Sequence, residues 1–449
     1  MNNTSFKINW LNIILIKEFQ NYLELELLKE LSLVSKIVRA RSMPKLFSYI
    51  QLFDYDFSYK FNDNIFIEYF NSTEISVLYR EASKEVKEFR KALSIENGLK
   101  DIDFIFKNIK KFVKRFYLAY MGKAGYYIFP LVYKFENLTT LILRSCIIPY
   151  NGFYNMRETL PNLKHVELTF VTLSKLSNKP ISSNELSFPP NLSYLEFYHC
   201  NIFNTDLLSD PYEFLFNKEA INITRNSFSL PAILAPNLKS FVLFGNNALE
   251  GSTEAFLDIN PGLESFKIEN YSLNLNKYLN KVKNLEIDSI ISFNNTDVYP
   301  TLNNIKKLVI NFEKLDYYED IKKFALLCPN LEELHFKNTL CDSFQASIDT
   351  FLAPTLKNLP HLKTLQLFIT NHEVLDISNL SRIENLIILA PSTTLFNLNF
   401  ENCNELRSIE FNVYSGDIHT EEFNGKFNSF DEWIFEFGEN NIKGYNINY

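Results

Sequence analysis

The side chains best suited to chemistry here are six histidines and five cysteines, and their spacing supports none of the common reactions. Cys146, Cys200, Cys328, Cys341 and Cys403 are odd in number, far apart and without a CxxC pair. That argues against a disulfide framework and a structural zinc site, and fits reduced thiols in the cytosol or nucleus. The histidines are His165, His199, His335, His361, His372 and His419. No GxSxG, HExxH, P-loop or GxGxxG accompanies them. Acidic pairs such as Glu332-Glu333 read as solvated faces. The chain is therefore read as a non-enzyme with no cofactor and no metal.

The composition narrows the function further. With 449 residues, 46% hydrophobic and 22% charged, the chain has the make-up of a folded protein with a sizeable core. A net charge of −8 disfavours nucleic acid, whose phosphates are bound mainly by Lys and Arg. The basic run "KNIKKFVKR" at 107–115 reads as a solvated helix or strand edge. The apolar "INWLNIILI" near the N-terminus is too short to span a bilayer and lacks a small-residue cleavage site, so no membrane is expected.

What remains is a repeat. "PNLKHVEL" at 161, "PNLSYLEF" at 190, "PNLKSFVL" at 236 and "PNLEELHF" at 329 share one frame, LxxLxL after Pro-Asn. "PGLESFKI" at 261 and "PHLKTLQL" at 360 are close variants, and looser ones occur at 136, 304 and 404. LxxLxL alone is weak, since about 40 chance matches are expected in so apolar a chain. The recurrent Pro-Asn before it is not a chance feature. The frames begin at Val113, Leu138, Leu163, Leu192, Leu238, Leu263, Val282, Ile305, Leu331, Leu362, Ile383 and Leu406. A degenerate frame with Ile221 and Ile223, in "KEAINITRN", fits the one double-length gap. The average spacing is roughly 24 residues, the period of a leucine-rich repeat.

In LxxLxL the last two apolar residues lie two apart and point to one side of a strand. Such strands bury that side only by stacking in parallel, and thirteen would span roughly 60 Å. The intervening segments form the other layer. "EDIKKFALLCPN", for example, reads as a helix with Ile321, Phe324, Ala325 and Cys328 on one face. Cys146, Cys200, Asn246 and Asn226 stand three residues past their frames. In these features the chain resembles the leucine-rich repeat family in its irregular intracellular form, over about 105–415. The resemblance implies an α/β solenoid with a parallel sheet on the concave face and helical or irregular segments on the convex face. It also implies that Cys146, Cys200 and the two asparagines turn inward and bond neighbouring backbone. Outward positions of the strands include Arg144, His165, Tyr194, Tyr198, Phe244, Lys267, His335 and Phe368. They are the expected contact surface for an unidentified target protein, and the four aromatics among Tyr194, Tyr198, Phe244 and Phe368 are read as exposed.

Two segments precede the repeats. Residues 72–95 read as a helix capped by Asn71 with Glu74 at the capping-box position, covering the open end of the solenoid. Residues 10–50 carry "YL" at 22–23, "LLKELSLVSK" at 27–36, Arg39 and "PKLF" at 44–47 before a strand-like "SYIQL". This arrangement resembles an F-box. Leu11, Leu15, Phe19, Leu23, Leu27, Leu28, Leu31 and Val34 match that motif's apolar positions. The resemblance implies a small α-helical unit that docks on a Skp-family adaptor and, through it, a cullin ligase. The match departs from the motif at its start, where Asn12 replaces the usual Pro and Ile14 holds the acidic position.

The expected organisation is an F-box-like helical domain at 8–50, a helical linker and cap at 51–104, repeats at 105–415 and a C-terminal cap at 416–449. The function this implies is that of the substrate-recognition adaptor of an SCF-type ubiquitin ligase, acting in the cytoplasm or nucleus. The alternative is a repeat scaffold with no ligase link, its N-terminal helices only a cap. A GTPase-activating repeat protein is a third reading. It would need a catalytic Arg on a repeat edge, and no Arg stands out.

Overall fold

The structure is a computed structural model. It describes residues 13–53, 83–176, 188–216, 225–245 except 229, 251–290, 299–312, 318–338 and 343–449 except 381, 401, 402 and 404. The chain divides into two compact units, Met1–Leu238 with Gly245–Ser252, and Lys239–Phe244 with Thr253–Tyr449.

In the first unit, helices α1 (Lys17–Tyr22), α2 (Leu25–Val34) and α3 (Lys36–Leu46) lead into strand β1 (Tyr49–Phe53). Lys45 ties them together by donating to the Leu23 carbonyl at 3.1 Å and to the Gln20 carbonyl, closing the end of α1. Ser35 caps α3 through Val38 N. The expected helix at 72–95 begins outside the described residues, with Asn71 and Glu74. The described helix, α4, runs Lys84–Phe106. It outlasts its expected end because Leu99, Ile102 and Phe106 continue an apolar stripe, with Ile102 and Phe106 buried.

Strands β1, β2 (Arg115–Gly122), β3 (Thr140–Pro149), β4 (His165–Thr169) and β6 (Tyr194–Tyr198) pair in parallel in one register. Tyr49, Arg115, Thr140, His165 and Tyr194 stand in one row, and Phe53, Ala119, Arg144, Thr169 and Tyr198 in another. β1 is a rung that the frame count omitted.

A second ribbon runs beside this sheet: the end of β3, then β5 (Thr172–Lys175), β7 (Asn201–Asn204) and β8 (Arg225–Ser227). The chain passes between ribbons through a residue of positive φ in successive repeats, namely Ser145, Phe170 and His199; Tyr120, also of positive φ, stands at the register shift within β2. A non-glycine residue pays about 1–2 kcal/mol to adopt that conformation, so packing holds each turn in place. Of the degenerate frame, Ile221 and Ile223 lie outside the described residues. Its end corrects the expected parallel rung, because β8 pairs antiparallel with β7.

The second unit stacks β9 (Ser240–Phe244), β10 (Ser265–Tyr271), β11 (Asn284–Ile290), β12 (Lys307–Phe312), β13 (Glu333–Asn338), β14 (Thr364–Ile369), β15 (Asn385–Ala390) and β16 (Ser408–Val413) in parallel. The stack ends when β18 (Asn441–Asn446) pairs antiparallel with β16 and with β17 (Trp433–Phe437). Between rungs lie helices such as Tyr318–Leu326, which buries Ile321, Phe324 and Ala325, with Cys328 buried just after it. The first apolar residue of every regular frame is buried, from Val113 to Leu406. Removing one such side chain, as in Leu331→Ala, would cost about 2–5 kcal/mol.

The recurrent Asn of the frames has a role that the sequence did not disclose. Asn162 Nδ2 donates to Glu136 O at 3.0 Å, Asn191 to Pro161 O at 3.1 Å and Asn237 to Pro190 O at 2.7 Å. In the second unit Asn330 donates to Asn303 O at 2.9 Å, and Asn304 to Asn280 O. Each side chain thus holds the entry turn of the preceding repeat, satisfying a carbonyl at a position that lies outside the strand ladder.

Candidate functional site

Two surfaces were expected to act, and each is built from elements now described. The first is the α2–α3 hairpin. Its packing is made by Leu28 and Val38, both buried, with Ser32 and Ser42 bonding back to the Lys29 and Val38 carbonyls. Of the expected adaptor contacts, Leu11 lies outside the described residues. Leu15, Phe19, Leu23 and Leu31 are half-buried, and Leu28 is fully buried. Leu27 is 45% exposed and Val34 73%. Leu27, Leu31 and Val34 recur at i, i+4 and i+7 and so share one helix face. Ile37, at the start of α3, is 59% exposed. The expected set therefore divides into residues that hold the hairpin together and residues that it presents.

The second surface is the strand face opposite the helical layer, and it has a separate composition in each unit. In the first unit His165 stacks on Tyr194 with ring centroids 4.1 Å apart. His165 Nε2 lies 2.5 Å from Glu167 Oε1, and Tyr194 Oη donates to Glu196 Oε2 at 2.5 Å. Arg144 is exposed, its guanidinium 6.0 Å from the Tyr117 ring. Tyr198 meets Phe170 edge-on at 5.6 Å, and Phe170 in turn stacks on His199 at 5.3 Å. Four expected residues, Arg144, His165, Tyr194 and Tyr198, thus lie on neighbouring rungs. Tyr117, Tyr120 and Phe170 join them unforeseen. Tyr120 and Phe170 stand just past the frame, at the positive-φ turn, where strand alternation no longer tells which way a side chain points.

In the second unit Lys267, Glu286, Val309, His335 and Gln366 form one row. Lys267 Nζ lies 2.6 Å from Glu286 Oε1, and Asn311 bridges Glu286 and Asp288 at 3.0 and 2.9 Å. Lys307 and His335 both bond Glu333. Burial lowers the His335 pKa, and this outweighs the upward pull of Glu333. Lys337 covers the half-buried Phe368 ring at 4.8 Å, and Tyr414 stacks on the same ring at 5.9 Å. Phe244 corrects its expectation: it is 8% exposed, not an open aromatic, because Lys267 lies over its ring at 5.0 Å and strand β10 flanks it.

The cysteines past the frames, Cys146 and Cys200, are buried, and Cys200 Sγ donates to Leu168 O at 3.5 Å. Cys403, which precedes the last frame, is also buried, and its Sγ donates to Ile377 O at 3.3 Å. Burial pushes the Cys200 thiol up to about 12 and Cys403 up to about 11, so neither is poised as a nucleophile. Asn246 lies outside the described residues. Among the described residues, no group of His, Cys, Asp and Glu could hold a metal ion, and no helix is long and apolar enough to cross a membrane.

Parallel rungs at the frame period, one apolar side buried and helices between them, make each unit a leucine-rich repeat architecture. No protein-family model matches the sequence, and comparison with curated proteins gives no match. Among solved structures, the chain is similar to an internalin from Listeria monocytogenes at 13% identity. That match covers 72% of this chain and 95% of the internalin, with a TM-score of 0.29. So low a score adds nothing to the reading, and the architecture rests on the ladder itself.

Proposed function

We propose that this chain is a non-enzymatic protein-binding adaptor. Its N-terminal hairpin docks on a Skp-family adaptor of a cullin ubiquitin ligase, and its strand faces hold a target protein. The observation that carries the reading is the Leu27–Leu31–Val34 face, continued by Ile37. It leaves Leu27, Val34 and Ile37 in water on helices that already have a core, and short amphipathic units of this kind dock by burying such a face in a partner's groove. The strand faces support the second half. They offer Tyr, His and Arg side chains held by ring contacts and hydrogen bonds, which lose little freedom on binding. The complex would act by holding the target near the ligase, raising its effective concentration.

The test is a pair of exposed substitutions, Leu27→Asp with Val34→Asp. Neither side chain fills the core, so the circular dichroism and melting of the repeats should be unchanged. Capture by a Skp-family adaptor should fall by about tenfold or more, the loss expected when central apolar contacts are removed. Equal capture by wild type and double variant would remove the hairpin from the reading.

A further inference from the structure

Just before each strand stands an entry-turn residue whose backbone N–H bonds the carbonyl of its counterpart on the preceding rung. In the second unit every residue of this row, from Lys239 to Arg407, is charged, and each finds its partner within the row. Glu264 pairs with Lys239 at 2.7 Å and Lys283 at 3.3 Å, and Glu332 with Lys306 at 2.6 Å. Glu384 pairs with Lys363 at 4.0 Å and Arg407 at 3.6 Å. The row is a closed ladder of charge.

The first unit breaks this pattern. There the row runs Ser48, Lys114, Thr139, Lys164 and Ser193, with two cations and no acid. An open groove of about 490 Å³ lies along it, walled by Pro44 near the end of α3 and by Phe112 on the 3-10 turn Lys110–Phe112. Lys111, Lys114 and Lys164 line the groove and are exposed. Among the described residues none of the three has an ion pair, and no carboxylate lines the groove. Two of these lysines come from the basic run at 107–115, which therefore does more than face water. The protein as a whole carries −8, so this positive site is a local feature.

The groove's other polar groups narrow its occupant. Asn137 Nδ2 donates to Lys111 O at 2.8 Å, and Asn162 Nδ2 to Glu136 O at 3.0 Å. Both side chains line the groove and retain Oδ1 as an acceptor. A peptide backbone brings N–H donors to such acceptors, whereas a phosphodiester backbone brings none. Lys114 and Lys164 stand two rungs apart, about 10 Å, the reach of three or four extended residues.

We infer that this groove binds an acidic, extended peptide segment of a partner protein, with Lys111, Lys114 and Lys164 meeting its carboxylates. The segment supplies the acids that the second unit builds into its own row, and Pro44 and Phe112 give its stem an apolar wall. The site shares no residue with the hairpin face or the strand faces, so it stands whether or not the hairpin meets an adaptor.

The test uses the full chain and a fluorescein-labelled hexaglutamate peptide, followed by anisotropy at low salt. Saturable binding is expected, weakening as salt rises. Lys114→Gln with Lys164→Gln should weaken it about fivefold, the loss of two exposed ion pairs. Lys306→Gln with Lys363→Gln removes the same charge from the closed ladder and should leave the affinity unchanged. All four side chains lie at the surface, so both variants keep the wild-type melting temperature. The absence of saturable binding overturns the inference. So does an equal loss in both double variants, which would make the attraction a property of net charge. Tighter binding of a six-nucleotide oligothymidylate than of hexaglutamate also overturns it, assigning the groove to a phosphate backbone.

Discussion

At the scale of single residues, what distinguishes this chain is where polar side chains spend their hydrogen bonds. Asn162, Asn191, Asn237, Asn304 and Asn330 each reach back from their frame to the carbonyl of an earlier entry turn. Asn191→Ala removes one such bond and should cost about 1 kcal/mol, read as a lowered urea midpoint with an unchanged slope. His335 gives a prediction in pH. Burial lowers its pKa below the usual 6.5, so the folded state holds that proton less tightly than the unfolded state. By linkage, its contribution is fully present above the unfolded value and declines as pH falls below it toward the folded one. Stability should therefore drop as pH falls below the usual 6.5. His335→Gln should flatten that part of the profile. A His335→Gln protein with the same pH dependence as wild type would place the titration elsewhere.

Elements repeat the lesson at larger scale. The frames were legible because three buried positions recur beside Pro-Asn, and every regular frame does become a rung. "SYIQL" was legible as a strand, but not as the rung β1, because it stands far ahead of β2 in sequence, outside any period, and carries no Pro-Asn. The second ribbon of the first unit was equally hidden, because it depends on positive φ at Ser145, Phe170 and His199, none of which is a residue that announces such a turn. Phe244 shows the limit of alternation. The outward side of a strand is not always the exposed side, since a long lysine stem on the next rung can cover a ring. The terminal elements yield a prediction of their own. β18 covers the last parallel strand, β16, and Phe427 packs beneath with Phe411, Phe423 and Phe435. Deleting residues 428–449 should leave an unpaired strand edge over an apolar layer. The expected outcome is concentration-dependent aggregation in light scattering, against a monodisperse full-length protein.

For the whole molecule, the sequence disclosed the architecture more fully than the sites. A solenoid is a sum of neighbouring contacts, so a periodic signal suffices to read it. A binding face is set by which side chains the rungs bring together, and that depends on register. His165 and Tyr194 were each visible as outward residues, yet their joining with Glu167 into one stacked and hydrogen-bonded group was not. The hairpin was legible as an apolar pattern, and the structure divides that pattern into core and surface. The central claim is that this surface meets an adaptor, and direct titration tests it most simply. Purified wild-type chain would be mixed with a recombinant Skp-family adaptor and followed by calorimetry and size-exclusion chromatography. The account predicts a one-to-one complex with a negative heat-capacity change, the mark of buried apolar area. Two separate elution peaks and no heat of binding, with the chain folded, would contradict it and leave the strand faces as the surfaces through which the protein acts.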